Sequence, residues 1–136
     1  NAAEGVVFSE YHIEAAIAGS HARAASFAET DWNQILQLYS ILAHLKPGSI
    51  VELNKAIAAG YAISPEAGLQ ALKNISELDD HYLYHSALGD FHAVLGDILE
   101  AAARYRRAIE LTESKVEKNL LERKLSNMTN GSGKSQ

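Results

Sequence analysis

Only two prolines, Pro47 and Pro65, interrupt a chain of 136 residues that carries 22 Ala and 16 Leu against 5 Val and 3 Thr. Ala and Leu keep most of their side-chain freedom in a helix, whereas β-branched residues lose theirs against the preceding turn. Two prolines and nine glycines are too few for the turns of a β-sandwich. The expectation is therefore an all-α domain, and the length suffices for one domain with a real core.

Composition closes several functional routes. There is no cysteine, hence no disulfide framework, thiolate metal site or cysteine nucleophile, which agrees with a reducing, cytoplasmic setting. No apolar run approaches the ~18 residues of a membrane span, and no basic-then-apolar leader opens the chain. The net charge of −5 argues against a phosphate-gripping surface, so direct nucleic-acid binding is not expected. A first residue of Asn1 instead of Met is what a fragment of something longer would show.

Periodicity predicts seven helices. Residues 1–10 have no period and are expected to be an irregular lead-in. A first helix should run from Tyr11 to about Ala28. Thr30 or Asp31 can cap a second, in which Trp32, Ile35, Leu36, Tyr39, Leu42 and Leu45 recur at three- and four-residue steps until Lys46-Pro47-Gly48 stops it. Ser49 is the expected cap of a third. Ser64-Pro65-Glu66 supplies a hydroxyl, a proline and an acid in the order a helix start favours, and this fourth helix should fade near Ser76. A fifth is expected from His81 to Leu95, ended by Gly96. Asp97 should cap a sixth through Leu111, and a seventh should span Glu113 to Met128. Thr129 to Gln136 is Gly/Ser-rich and is expected to be a disordered tail beyond a single helical domain at 11–128.

Alternating helices of this length invite a search for internal repeats. In LGDFHAVLGDILEAAARYRRAIEL, Leu88-Gly89, Gly96, Ala101, Tyr105 and Ala108 stand at the spacings of a tetratricopeptide repeat. Small residues let two antiparallel helices approach, and the tyrosine fills the wider gap beside them. Ala67 lies 34 residues before Ala101, one repeat length away, and Ile35, Tyr39, Leu42 and Pro47 echo a second helix and its terminal proline. His85, His92 and Glu113 depart from the pattern. The expected architecture is a right-handed, repeat-like superhelix of three helix pairs, with the seventh helix capping the last apolar face. A generic Ala/Leu bundle is the plainer alternative.

Few residues invite chemistry. His81, His85 and His92 share one helix face and could ligate zinc or nickel. Leu88 and Leu95 share that stripe, so packing histidines are the plainer reading and no metal site or cofactor is expected. Asp79-Asp80, Asp90 and Asp97 fit turns and caps, and no phosphate loop or serine-centred motif exists, so no enzyme is expected. Arg104, Arg106 and Arg107 have Glu100 and Glu110 at four-residue offsets from Arg104 and Arg106, which predicts ion pairs along a solvated face. Asn54 stands where such superhelices line a groove; it can hold a peptide backbone or bond within its own helix. Leu83, Ser86 and Asp90 complete the expected groove.

The segments EYHIEAAIAGSHARA, TDWNQILQLYSILAHLKPGSIVELNKAIA, SPEAGLQAL and YLYHSALGDFHAVLGDILEAAARYRRAIELT, taken in order, resemble the C-terminal part of one group of bacterial extracytoplasmic-function RNA polymerase sigma factors. That group carries a long tetratricopeptide-like extension. The resemblance covers about residues 9–125 and rests on Tyr11 to Ala18, Thr30-Asp31-Trp32, Leu53 to Ala58, and Ala103 to Ala108. Departures include Ile13-Glu14, Lys55 and Ser64-Pro65. The promoter-reading and core-binding regions of such proteins lie N-terminal to this part, and nothing like them occurs here. The resemblance thus implies a cytoplasmic regulatory domain that docks on the sigma regions of its own polypeptide, on polymerase or on another regulatory protein. A free-standing peptide-binding scaffold unrelated to transcription is the alternative.

Overall fold

A computed structural model describes residues 10–23 and 30–134, so the expected lead-in lies outside the described residues except for Glu10. The described part is all-α, with seven helices: α1 (Glu10–Arg23), α2 (Trp32–Leu45), α3 (Ser49–Ala62), α4 (Pro65–Lys73), α5 (Tyr82–Val94), α6 (Ile98–Leu111) and α7 (Lys115–Lys134). Packing is sequential: α1 on α2, α2 on α3, α5 on α6 and α6 on α7. The chain gathers into two compact units, one ending at Ala71 and the other beginning at Leu72.

Most helix starts follow from local chemistry. Asp31 accepts the Gln34 N–H at 3.1 Å, and Ser64 accepts the Ala67 N–H at 3.1 Å, each relieving an orphan donor of the first turn. At α3 the cap residue is Gly48, with no side-chain cap bond, and Ser49 is already helical. The expected Ser49 cap is thus displaced by one residue. Asp97 occupies the cap position of α6 but makes no cap bond; its carboxylate lies 3.5 Å from His92 Nδ1 instead. Ser114 accepts the Glu117 N–H at 3.2 Å and opens α7. That helix continues to Lys134. Extending a formed helix costs far less than nucleating one, so the ladder runs on through poor formers.

The α5–α6 turn closes as a Schellman motif. Gly96 adopts φ +85°, the Asp97 N–H bonds back to His92 O at 2.9 Å and the Gly96 N–H to Ala93 O at 3.1 Å. Glycine takes this left-handed conformation without the Cβ penalty.

The two units differ in their cores. In the first, Ile13 and Ile17 of α1 meet Leu42 of α2 and Val51 of α3, with Leu38, Tyr39 and Ala43 packed around them. In the second, Ala101, Tyr105 and Ala108 of α6 meet Leu121 of α7, joined by Tyr82, Ala93, Ile109 and Met128. Gly89 of α5 lies so close to α6 that a Cβ placed on it would sit 2.7 Å from the Tyr105 ring. The close approach expected from the Gly89/Tyr105 spacing is therefore present in the α5–α6 pair.

Candidate functional site

The expected groove residues fall in different settings. Asn54, on α3, donates through Nδ2 to Ile50 O at 3.2 Å, the intrahelical bond that was one of its two expected roles. Leu83 is half-buried and Ser86 is buried, both on α5. Asp90 accepts from the Tyr105 hydroxyl at 2.6 Å and from Lys124 Nζ at 3.0 and 3.3 Å. Its carboxylate is thus held by α6 and α7 within the second unit. Charge-assisted bonds of this kind are about twice as strong as neutral ones.

The three histidines of α5 and its cap do not converge. His81 Nδ1 accepts the Leu83 N–H and caps the helix. His92 pairs with Asp97. His85 is buried, with Nε2 2.8 Å from Asp79 O and Nδ1 3.2 Å from an Arg104 nitrogen. A guanidinium only donates and a carbonyl only accepts, so these partners assign a neutral ring with the proton on Nε2. Burial pushes the His85 pKa below its ordinary 6.5, opposed by the bond to Asp79 O and reinforced by the charges of Arg104 and Arg107. Among the described residues no three His, Asp or Glu side chains form a group able to hold a metal ion.

The arginines of α6 are largely absorbed into ion pairs. Arg104 binds Glu100 at 2.8 Å, as the four-residue offset predicts. Glu110 pairs with Arg107 at 3.2 Å, not with Arg106 as expected, and Arg107 also reaches Asp80 at 3.4 Å. Arg107 sits between two carboxylates, and that double attraction outcompetes the single pairing open to Arg106.

One of the expected groove residues, Asn54, lines a cavity in the first unit. The cavity, of about 220 Å³, opens between α1, α2 and α3. The buried Ile17, Leu42 and Val51 and the exposed Ile50 give it apolar walls. Tyr39 and Asn54 add polar groups, and Glu14 and Lys46 stand at its solvent side. Burial and the Glu14 charge both raise the Tyr39 pKa above its ordinary 10.0, so this hydroxyl stays protonated and able to donate. Lys46 lies 3.5 Å from Glu14 and 4.0 Å from Glu10. Beyond Asn54 the periodic reading did not supply this lining, because it comes from three helices whose mutual register no local pattern encodes. Only the unpaired apolar Ile50, outside the buried stripe of α3, hints at it.

No protein-family model matches the chain, and no solved structure does. Over 102 residues, 74% of its length, the chain is 40% identical to an uncharacterised protein of Rhizobium meliloti (strain 1021). The matched part is 24% of that protein. The chain therefore spans about a quarter of the length of the curated relative it matches.

Proposed function

We propose that this chain is the C-terminal interaction domain of an extracytoplasmic-function RNA polymerase sigma factor, built as a right-handed tetratricopeptide-like superhelix. The reading is carried by one observation: the ordered motifs of the resemblance include the α5–α6 pair, where Gly89 and Tyr105 meet at the close approach a repeat of this type requires. The relative is about four times the length of the matched part, which suits a domain attached to a larger machine. The domain is non-catalytic and cytoplasmic, and needs no cofactor. Its partners are the sigma regions of the same polypeptide, polymerase or a further regulatory protein. It makes no direct contact with nucleic acid and enters no membrane; no helix among the described residues is long and apolar enough to cross one.

Regulation in this scheme means that docking has different free energies in the sequestered and polymerase-competent arrangements of the sigma regions. A free-standing scaffold would make no such difference. The coding sequence upstream of Asn1 separates the two readings directly: sigma regions in frame support the first. Deleting residues 10–134 from the full-length protein should then change promoter-specific run-off transcription. Unchanged transcription would overturn the reading.

A further inference from the structure

We infer that the cavity between α1, α2 and α3 is a docking groove for a partner protein segment that inserts one aliphatic side chain flanked by Lys or Arg. The inference rests on the reading of the chain as an interaction domain and names the chemistry of its partner.

Size and lining select the inserted group. The cavity holds about 220 Å³, more than the ~150 Å³ pocket that takes benzene, so one branched side chain fits. Its walls are Ile17, Leu42, Ile50 and Val51, and Ile50 is 49% exposed, a large apolar side chain at the surface beside a concave site. Polar groups for the backbone of the segment are also at hand. Asn54 spends one N–H on Ile50 O and keeps its carboxamide oxygen and second N–H, while Tyr39 lines the same cavity. Together they offer donors and an acceptor to an extended peptide.

Charge selects the flanks. At the solvent side, one ammonium, Lys46, stands against two carboxylates, Glu10 and Glu14, leaving one negative charge over. The sequence through Ala71 has the same sign, with seven acidic and three basic residues, a net −4, against ten and nine from Leu72 onward. Lys or Arg beside the inserted residue neutralises this excess, and acidic flanks are repelled.

The test uses the 136-residue chain, labelled with nitrogen-15, and three blocked pentapeptides: Lys-Arg-Leu-Lys-Arg, Lys-Arg-Ala-Lys-Arg and Glu-Glu-Leu-Glu-Glu. The first should give saturable amide shifts centred on Glu14, Tyr39, Lys46 and Asn54. The alanine peptide should bind roughly tenfold more weakly or worse, the loss expected for one buried leucine side chain. The acidic peptide should not saturate. Ile50→Asn changes an exposed residue, so helix content should hold in circular dichroism while the first peptide weakens several-fold. Glu14→Lys should weaken it too, with the loss shrinking in high salt.

Any of three results overturns the inference. One is the absence of saturable shifts at millimolar peptide. Another is equal binding of the leucine and alanine peptides, which would reduce the effect to surface charge. The third is self-association of the chain that Ile50→Asn abolishes, which would assign the groove to a second copy. Failure here and failure of the sigma-factor reading are distinguishable. A transcriptional effect of deletion with a silent groove sinks only this inference, and a peptide-binding groove with no transcriptional effect sinks only the other.

Discussion

The two compact units hold their helices together by different means. In the first, α1, α2 and α3 meet through an aliphatic cluster, Ile13, Ile17, Leu42 and Val51, and its polar ties, Ser20 to Gln34 and Lys46 to Glu14 and Glu10, lie outside that cluster. In the second, a polar tie engages the cluster itself: Asp90 joins Tyr105 and Lys124, and the buried His85 bridges Asp79 and Arg104. Dispersion and hydrophobic burial are non-directional, so an aliphatic core accepts small shifts between helices and can leave a recess at its edge. Hydrogen bonds to charged groups fix distance and angle, and a helix pair so tied has one register. The first unit holds the cavity between its three helices and most of the excess negative charge.

This contrast can be broken at several points. The largest effect is expected at Tyr105, which is 4% exposed. Tyr105→Ala empties the gap beside Gly89 and leaves Asp90 short of a donor, so unfolding free energy of the second unit should fall by about 3–5 kcal/mol in denaturant titration. A loss below that of an exposed substitution would show that the polar tie is ornamental.

Gly89→Ala comes next. In an ordinary helix this change stabilises by about 1 kcal/mol. Here the new Cβ would meet the Tyr105 ring at 2.7 Å, and the Asp90 bond restrains that ring. Overpacking of about 1–3 kcal/mol should outweigh the helix gain and lower the melting temperature. A higher melting temperature would mean that the helices do not need their close approach.

His85 sharpens the comparison through pH. Its folded-state pKa lies below the ordinary 6.5. Between those two values the unfolded chain binds more protons than the folded one, so stability must rise with pH across that window. The contribution of the neutral ring is complete above about pH 6.5 and is lost as pH falls through the folded value. Protonation would also turn Nδ1 into a donor facing Arg104. Denaturant titrations at stepped pH should show this slope in the wild type and its loss in His85→Gln; equal slopes would contradict the lowered pKa of the buried ring.

The smallest effect belongs to the first unit. Leu42→Met, at a buried position of the aliphatic core, should cost under about 1.5 kcal/mol, because an unbranched thioether adapts to such surroundings. A cost as large as that of Tyr105→Ala would erase the distinction between the units.

What could be read from the sequence, and what could not, follows the range of the interactions concerned. Asp31, Ser64-Pro65 and Gly96 act within four or five residues of themselves, and their roles were legible. The Gly48 start of α3 was not, because Ser49 satisfies the same sequence pattern one residue later. Ser114-x-x-Glu117 carries a legible helix-start signature, yet Glu113 drew the expected boundary. Lys124 reaches Asp90 across 34 residues, and its partner depends on how α7 lies along α5 and α6. The same holds for the cavity: Glu14, Tyr39, Lys46 and Ile50 are ordinary helical positions until three helices bring them together.

The central claim, that this chain is a docking domain for sigma regions, is tested most directly by calorimetry. The 136-residue chain would be titrated with the sigma regions that the proposed reading places N-terminal to it, at two salt concentrations. The account predicts saturable binding at low micromolar strength or better, with a salt-dependent part from the acidic first unit. Absence of binding at either salt concentration would contradict docking on the sigma regions and leave polymerase or a further regulatory protein as the partner.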